Sequence, residues 1–218
     1  MSGDLSAPHT IRRVIIFGNG DLPPAAQIHA NLQTDDYYIA ADGGAEVLIA
    51  LGRSPAVIIG DLDSLSAETA ARLRQNGSLV IACESQEEND LAKALNWVLE
   101  RRPAQIILIG FYGAREDQSL ATLQLAARYC KIIPIIILAP LSEITVLQPG
   151  QYTLTSHSGQ IISLFGFPAA TEITTHNLKY PLHRESLTEG SRGLSNVATA
   201  STFGLHFETG RLVVFKNY

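Results

Sequence analysis

The chain has 218 residues, of which 46% are hydrophobic and 17% are charged, a balance typical of a globular protein and not of a disordered one. Lysine and arginine number 16 against 21 aspartates and glutamates, so the net charge is −5. That charge argues against a general binder of nucleic acid or of acidic membranes, since either needs a basic face. At about 100–200 residues per domain, the length allows one domain or two small ones.

Two cysteines, Cys83 and Cys130, are too few for a disulfide framework or a zinc site with four thiolates. Both lie in apolar segments and are predicted to be free thiols. The first ten residues are polar and lack the apolar stretch of a signal peptide. Since no apolar run approaches the ~20 residues of a membrane span, we expect a cytoplasmic protein with no membrane partner.

The first two-thirds of the chain alternates short β-branched runs with helical patterns. Strands are predicted at residues 14–17, 37–40, 57–59, 79–81, 106–109 and 132–138, and helices at 45–51, at 67–76, from Asn89-Asp90 and from near Asp117. Strands that are apolar throughout are typical of a parallel sheet covered on both faces. Residues 1–140 are therefore predicted to form an open, mainly parallel α/β sheet with flanking helices.

After about Pro140 the helical periodicity fades and short runs separated by turns replace it. These runs occupy residues 144–147, 152–154, 161–165, 172–174, 197–203 and 212–215. The pattern predicts an antiparallel β-sandwich over residues 141–218. Because such a small unit is marginally stable alone, we expect it to pack on the α/β domain or on a second subunit.

Glycines and acidic residues recur where the predicted strands end, and ligands of open parallel sheets bind beyond those ends. The residues in question are Gly18, Asn19, Gly20; Asp42, Gly43, Gly44; Asp61, Asp63; Glu87, Glu88, Asp90; and Gly110, Gly113, Arg115, Asp117. Glycines let a backbone approach a phosphate, and carboxylates suit such a place if Mg²⁺ joins them to it. Each cluster alone also has an ordinary reading as a turn, a helix cap or an exposed pair; their common position favours a site.

Several nucleotide-binding motifs are absent. The chain has no G-x-x-x-x-G-K-[ST], and Gly18-Asn19-Gly20 is followed by Pro23 where a dinucleotide fingerprint needs its third glycine. It also has no G-x-S-x-G elbow, and its histidines do not show metal-ligand spacing.

The ordered set of motifs resembles the thiamine pyrophosphokinase family. The resemblance rests on residues 41–45 (ADGGA), 60–64 (GDLDS), 89–95 (NDLAKAL), 113–121 (GAREDQSLA), 178–182 (LKYPL) and 193–196 (GLSN), and it covers roughly residues 14–215. It implies an α/β domain followed by a β-sandwich, and a homodimer whose active sites lie between subunits. The implied reaction converts ATP and thiamine to AMP and thiamine diphosphate.

The resemblance also implies roles for individual residues. Asp61, Asp63 and Asp90 would hold Mg²⁺ and act in catalysis with Arg115, which would contact phosphate, and Asp117, which would position thiamine. Substrate binding is expected at Asp42, Gly43, Gly44 and Gln118, and in the thiamine pocket at Tyr180, Ser195 and Asn196.

The sequence departs from the family pattern at a few positions. Gln86, Glu87 and Asn89 stand where the family usually has Lys and Asp before a Thr-Asp pair. Ala114 replaces a usual glycine and Thr122 a usual asparagine. The departures bear on nucleotide preference and rate more than on the class of reaction.

Two other functions fit part of the sequence. Asp61-Leu62-Asp63 at a strand end resembles the nucleophile loop of metal-dependent phosphatases, in which the first aspartate is phosphorylated. A non-catalytic sensor of thiamine or nucleotide on the same scaffold is the other alternative, suggested by the departures around Gln86.

Overall fold

The computed structural model describes residues 11–63, 65–83 and 87–218. Five helices lie within those residues: α1 (Ala25–Asn31), α2 (Gly44–Ala50), α3 (Ala67–Gln75), α4 (Asp90–Leu99) and α5 (Glu116–Tyr129). The strands of the α/β part are β1 (Arg13–Phe17), β2 (Tyr37–Ala41), β3 (Val57–Gly60), β4 (Leu79–Ala82), β5 (Gln105–Ile109) and β6 (Ile135–Leu138). Those that follow are β7 (Ser142–Leu147), β8 (Gly150–Thr155), β9 (Ile161–His176), β10 (Glu185–Leu187), β11 (Asn196–Val197), β12 (Thr202–Phe207) and β13 (Thr209–Asn217).

The first six strands form a parallel sheet in the order β4-β3-β2-β1-β5-β6. Neighbouring residues of one strand pack into different cores: Val14 and Ile16 belong to one hydrophobic cluster, and Ile15 and Phe17 belong to another. Both faces of this sheet are therefore covered, as the continuous apolar runs predict. The α/β prediction is confirmed.

The C-terminal strands continue the same sheet in antiparallel fashion. β7 pairs with β6 and then with β13, and the order goes on through β9 and β12 to β8. A further hydrophobic cluster lies within these antiparallel strands and contains Phe203, Phe207 and Leu212, all buried. The arrangement fits the predicted sandwich. The cluster that contains Val14 and Ile16 also contains Ile144 and Val213. The two predicted domains, divided at residue 140, therefore share a hydrophobic core.

The observed elements differ from the predicted ones in five places. Helix α1 and strand β10 are additional, because α1 buries only Ile28 and β10 has three residues, so neither shows a repeating apolar pattern. The runs at 161–165 and 172–174 are one strand, β9, whose pairing with β13 shifts register between Gly210 and Leu212. The run at 197–203 is divided between β11 and β12, and residues 132–134 precede β6.

Glycines let the loops at the carboxyl edge of the parallel sheet approach one another. The N–H of Gly18 donates to the carbonyl of Ile109 at 2.8 Å, and a Cβ on Gly18 would lie 2.6 Å from the carbonyl oxygen of Gly110. The loops after β1 and β5 are thereby held in contact, and helix α2 starts equally close to the end of β1.

None of the helices in the described residues combines the length and apolar character that a membrane crossing requires.

Gly44 should be among the least replaceable residues of this edge. A Cβ at Gly44 would lie 2.0 Å from the carbonyl oxygen of Phe17, and its three nearest atoms all belong to the backbone, which leaves little room to relax. We expect Gly44→Ala to lower the free energy of unfolding by about 1–3 kcal/mol or more, as overpacking does. Urea denaturation followed by circular dichroism measures this. Gly204→Ala is the control, since its Cβ would meet its nearest neighbour at an ordinary 3.4 Å. Equal losses in the two variants would contradict the assignment of the effect to the clash.

Candidate active site

A cleft of about 320 Å³ opens at the carboxyl edge of the parallel sheet. It lies where the loops after β1, β2 and β5 meet the first turns of α4 and α5. Its lining is made of Gly18, Asn19, Gly20, Ala41, Asp42, Gly43, Asn89, Asp90, Leu91, Gly110, Phe111, Tyr112, Gly113, Ala114, Arg115 and Gln118. The position agrees with the rule that ligands of open parallel sheets bind beyond the strand ends.

Three carboxylates meet beside this cleft. Asp42 follows β2, Asp61 follows β3 and Asp90 starts α4, and one carboxylate oxygen from each lies within 4.8 Å of the others. The adjacency of β2 and β3 in the sheet brings the first two together. These three residues, of which Asp42 and Asp90 are 48 positions apart in the sequence, form one cluster, which we call the acidic cluster.

The acidic cluster contains two of the three predicted metal ligands. Asp63 is outside it: this exposed residue lies beyond a turn in which Leu62 has a φ of +65°, and its N–H donates to Asp61 Oδ1 at 3.3 Å. Asp42, expected as a wall of the substrate site, takes the third place. Ser64, the next residue of the motif, lies outside the described residues.

The environment of Asp42 tests whether the cluster suits a cation. Its Oδ1 is buried and has no hydrogen-bond partner within the described part of the chain. A buried carboxylate oxygen without a partner is costly unless something positive satisfies it. Three carboxylates with oxygens close together are a donor set that fits Mg²⁺, which prefers hard oxygen ligands and keeps some of its waters. The residues present therefore fit a magnesium ion.

Lys93 is a residue of this site that the sequence reasoning missed. Its Nζ lies 3.1 Å from Asp90 Oδ1, and it donates to the carbonyl of Cys83 at 3.1 Å. Only 9% of the lysine side chain is exposed. The sequence did hold a signal for this contact, because Asp90 and Lys93 are three residues apart on a predicted helix and positions i and i+3 share a helix face.

Arg115 and Asp117 form an ion pair at the mouth of the cleft. Arg115 Nε and Nη2 lie 3.1 and 2.6 Å from the two oxygens of Asp117. This hydrogen bonding, assisted by the N–H of Gln118, holds the pKa of Asp117 below its ordinary value. Both side chains are two-thirds exposed, so the pair contributes little to stability. Arg115 lines the cleft and Asp117 stands just behind it on the first turn of α5.

The starts of α4 and α5 are joined across the cleft. Asn89 caps α4 by accepting the N–H of Ala92 at 2.9 Å, and its Nδ2 donates to Gln118 Oε1 at 3.4 Å. Asn89 thus places Asp90 at the first position of the helix, although the family pattern differs here. Gln86, the other departure in this loop, lies outside the described residues.

Asp21 holds the loop before α5, and it too was not predicted as a site residue from the sequence. Asp21 Oδ2 accepts the N–H of Ala114 at 2.6 Å, and Ala114 has a φ of +27°. This is a backbone conformation that a glycine would adopt more easily. Phe111 and Tyr112 add aromatic surface to the cleft directly after Gly110, a position at a strand end that was itself predicted to matter.

The residues predicted for a thiamine pocket lie elsewhere in the chain. Tyr180 and Asn196 line a second cavity of about 200 Å³ in the β-sandwich, which shares no lining residue with the cleft. Asn196 is buried, and its amide exchanges hydrogen bonds with the backbone N–H and C=O of Tyr180 at 3.0 and 2.7 Å. Ser195 is exposed with a φ of +58°, and Tyr180 is 60% exposed. A single chain does not bring these three residues to the acidic cluster.

A bound Mg²⁺ should stabilise the protein through the acidic cluster. At about 100 times its dissociation constant a ligand stabilises by about 2.7 kcal/mol, which for a chain of this length is a rise in Tm of roughly 5–10 °C. Asp42→Asn should abolish most of that rise. It should also leave the metal-free protein at least as stable as wild type, because it removes one of three repelling charges. Differential scanning fluorimetry with and without MgCl₂ measures both effects.

Asp35→Asn is the control for this measurement, because Asp35 is an exposed carboxylate outside the cluster. It should keep the full response to Mg²⁺. An unchanged response in Asp42→Asn would mean that Asp42 does not hold the ion.

Comparison with known proteins agrees with this geometry. The family model for the thiamin pyrophosphokinase catalytic domain matches residues 28–137, and the model for the vitamin B1 binding domain of the same proteins matches residues 151–214. A thiamine pyrophosphokinase of Bacillus subtilis is 29% identical over 191 residues, which cover 84% of this chain and 89% of that protein.

Solved structures are similar over almost the whole chain. A crystal structure of thiamine pyrophosphokinase from Bacillus subtilis superposes with a TM-score of 0.85 at 26% identity, covering 94% of this chain and 99% of the other. One of thiamin pyrophosphokinase from Geobacillus thermodenitrificans gives 0.81 at 27% identity, covering 94% and 97%. On the family models, which together account for most of its length, the chain belongs to the thiamin pyrophosphokinase family.

Proposed function

We propose that the acidic cleft is where this enzyme transfers a diphosphate group from ATP to the hydroxyl of thiamine, releasing AMP and forming thiamine diphosphate. The observation that carries the proposal is the acidic cluster of Asp42, Asp61 and Asp90 beside a cleft with glycine-rich walls. ATP and thiamine are the small-molecule substrates. In the transfer, the thiamine oxygen bonds to the β-phosphorus, the bond from that phosphorus to the α,β-bridging oxygen breaks, and the hydroxyl proton is lost.

The acidic cluster and an ATP triphosphate are both negatively charged, so a cation is needed between protein and nucleotide. Asp42 and Asp90 line the cleft with Asp61 close beside them, and Arg115 is the cationic residue among the lining, already paired with Asp117. An ATP triphosphate would be repelled by this surface alone. Mg²⁺ held by Asp42, Asp61 and Asp90 would supply charge neutralisation and a template for the phosphates. Asp63, predicted as a ligand, stays a proposed participant next to Asp61.

Arg115 and Asp117 act as one unit in this proposal. A guanidinium has five N–H donors, and the bonds to Asp117 use two of them. The remaining donors can contact a phosphate while the carboxylate keeps the arginine oriented. Since its pKa is lowered, Asp117 stays ionised and keeps this role. The same carboxylate is placed to meet the hydroxyl end of thiamine, as the family resemblance implies.

The nucleotide side of the cleft is built from backbone. Gly18, Gly20 and Gly43 leave room for phosphates to approach, and Gly44 lies behind them, packed on β1. Gln118, which bridges to Asn89, completes this wall.

The thiamine side comes from a second subunit. Tyr180, Ser195 and Asn196 surround or adjoin a cavity that is separate from the cleft of the same chain. A homodimer that sets the sandwich cavity of one chain against the cleft of its partner would unite the two sets. In that arrangement Tyr180 offers an exposed ring to thiamine, and Asn196 acts by holding the Tyr180 backbone. A cytoplasmic location, with no role for nucleic acid, belongs to the same proposal.

The reaction is tested by following AMP release from MgATP with and without thiamine, alongside formation of thiamine diphosphate. We expect thiamine-dependent AMP in equal amount to thiamine diphosphate. Asp61→Asn should lower the rate by a factor of about 100 or more, since it removes a metal ligand at the reacting phosphates. Asp35→Asn, with an exposed carboxylate outside the cluster, should keep wild-type activity.

Other products would identify the alternative functions. Inorganic phosphate formed without thiamine would favour a phosphatase with Asp61 as nucleophile. Binding of thiamine without any product would favour a sensor. A fully active Asp61→Asn would contradict the proposed metal site whichever product forms.

A shared active site makes a separate prediction about mixed dimers. Asp61→Asn disables the cleft, and the double variant Tyr180→Ala/Ser195→Ala disables the sandwich cavity. After unfolding and refolding together in equal amounts, about half of the dimers are mixed and each carries one intact site, so activity should return to about a quarter of wild type. Refolding each variant alone is the control. No recovery on mixing would mean that one chain supplies both halves of its site.

A further inference from the structure

Lys93 is a nearly buried cation with two contacts, one of which reaches the acidic cluster. Its ammonium donates to Asp90 Oδ1 and to the carbonyl of Cys83, each at 3.1 Å. A lysine with 9% of its side chain exposed gives up most of its hydration and side-chain freedom, which is unfavourable unless fixed partners compensate. Surface lysines on a helix do not need such an arrangement, and this one occupies the first turn that carries Asp90.

The second contact extends to the loop that carries Asp61. Cys83 follows β4, and its N–H donates to the carbonyl of Gly60 at 2.8 Å. Gly60 is the residue immediately before Asp61. Lys93 therefore links Asp90 on α4 to the end of β4, which is itself bonded to the end of β3. Two of the three carboxylates of the cluster are connected through this one ammonium group.

We propose that Lys93 is a positioning residue of the metal site, which orients the Asp90 carboxylate and holds α4 against the strand ends. The part of Lys93 in catalysis rests on the proposed function, whereas its contacts with Asp90 and Cys83 do not depend on which group the enzyme transfers. Bonding to Oδ1 leaves the other oxygen of Asp90 for a cation. Partners that orient metal ligands in this way typically contribute about 10–100-fold to metal affinity or activity.

An electrostatic role alone would have the opposite effect on metal binding. A fixed positive charge beside the cluster repels a divalent cation, so removing that charge without loss of orientation would raise the affinity. A merely structural role would lower the thermal stability and leave the affinity unchanged. The direction of the change in metal affinity therefore separates positioning from the other two roles.

The experiment measures binding of Mn²⁺ alone, without nucleotide or thiamine, by electron paramagnetic resonance of the free ion. We expect Lys93→Met to weaken Mn²⁺ binding about 10–100-fold, and Lys93→Arg, which keeps a charged donor, to restore part of the loss. In an Asp90→Asn background, Lys93→Met should have little further effect, because it acts through that carboxylate. Lys131 is an exposed lysine two residues after the end of α5, and Lys131→Met is the matched control, which should bind as wild type does.

Several outcomes would overturn the inference. They are an unchanged or tighter Mn²⁺ affinity in Lys93→Met, an additive loss in the Asp90→Asn background, and no Mn²⁺ binding by the wild-type protein. If Lys93→Met does not fold, Lys93→Gln, with a neutral polar group in the same place, is measured instead. Should wild type bind Mn²⁺ as expected but form no thiamine diphosphate, the proposed function fails and the positioning role stands.

Discussion

Mutual repulsion of three carboxylates is the constraint on which this site depends. Two half-buried charges about 5 Å apart repel by roughly 3 kcal/mol at an effective dielectric constant of about 20, a large fraction of the stability of a typical domain. The fold tolerates Asp42, Asp61 and Asp90 together because Lys93 neutralises part of the charge and because rigid elements carry each of them. What remains is a site with excess negative charge, in which Asp42 Oδ1 has no hydrogen-bond partner among the described residues. Such a site favours a divalent cation before any substrate arrives, since the ion relieves a cost that the fold has already accepted.

The parallel sheet is what makes that arrangement rigid. Asp42 and Asp61 follow β2 and β3, neighbouring strands that are paired in register and whose side chains pack into hydrophobic clusters on both faces. Asp90 starts α4, which packs against these same two strands. Close backbone approaches at Gly18, Gly44 and Gly110 hold together the loops after β1, β2 and β5, which form the walls of the cleft. A helix or loop carrying the same carboxylates without this support would turn them away from each other. Preorganisation of charge therefore follows from glycine at the strand ends as much as from the acidic residues themselves.

Most of the fold could be predicted from the sequence, because apolar strand runs and helix caps are local signals. The predicted strands of the α/β part, the helix at 67–76 and the helix that begins at Asn89-Asp90 all have observed counterparts. The composition of the acidic cluster could not be predicted in full. The family resemblance implied Asp61 and Asp63 together with Asp90, whereas in the structure the adjacency of β2 and β3 brings Asp42 beside Asp61. Lateral strand order is a tertiary property, and sequence patterns of single strands do not encode it.

The division between cleft and sandwich cavity has a physical reason in the same topology. β7 leaves the parallel sheet by an antiparallel hairpin and, with β13, carries the sheet into the sandwich, so the shared core connects the two parts through their sides. The sandwich therefore continues the sheet laterally and leaves the cleft uncovered from above. In the homodimer proposed above, a second chain would bring residues such as Tyr180 to the acidic cluster, and catalysis would then depend on assembly. Under that proposal the cleft of a lone chain is open to solvent, and association between subunits would be the step that excludes water from the transfer reaction.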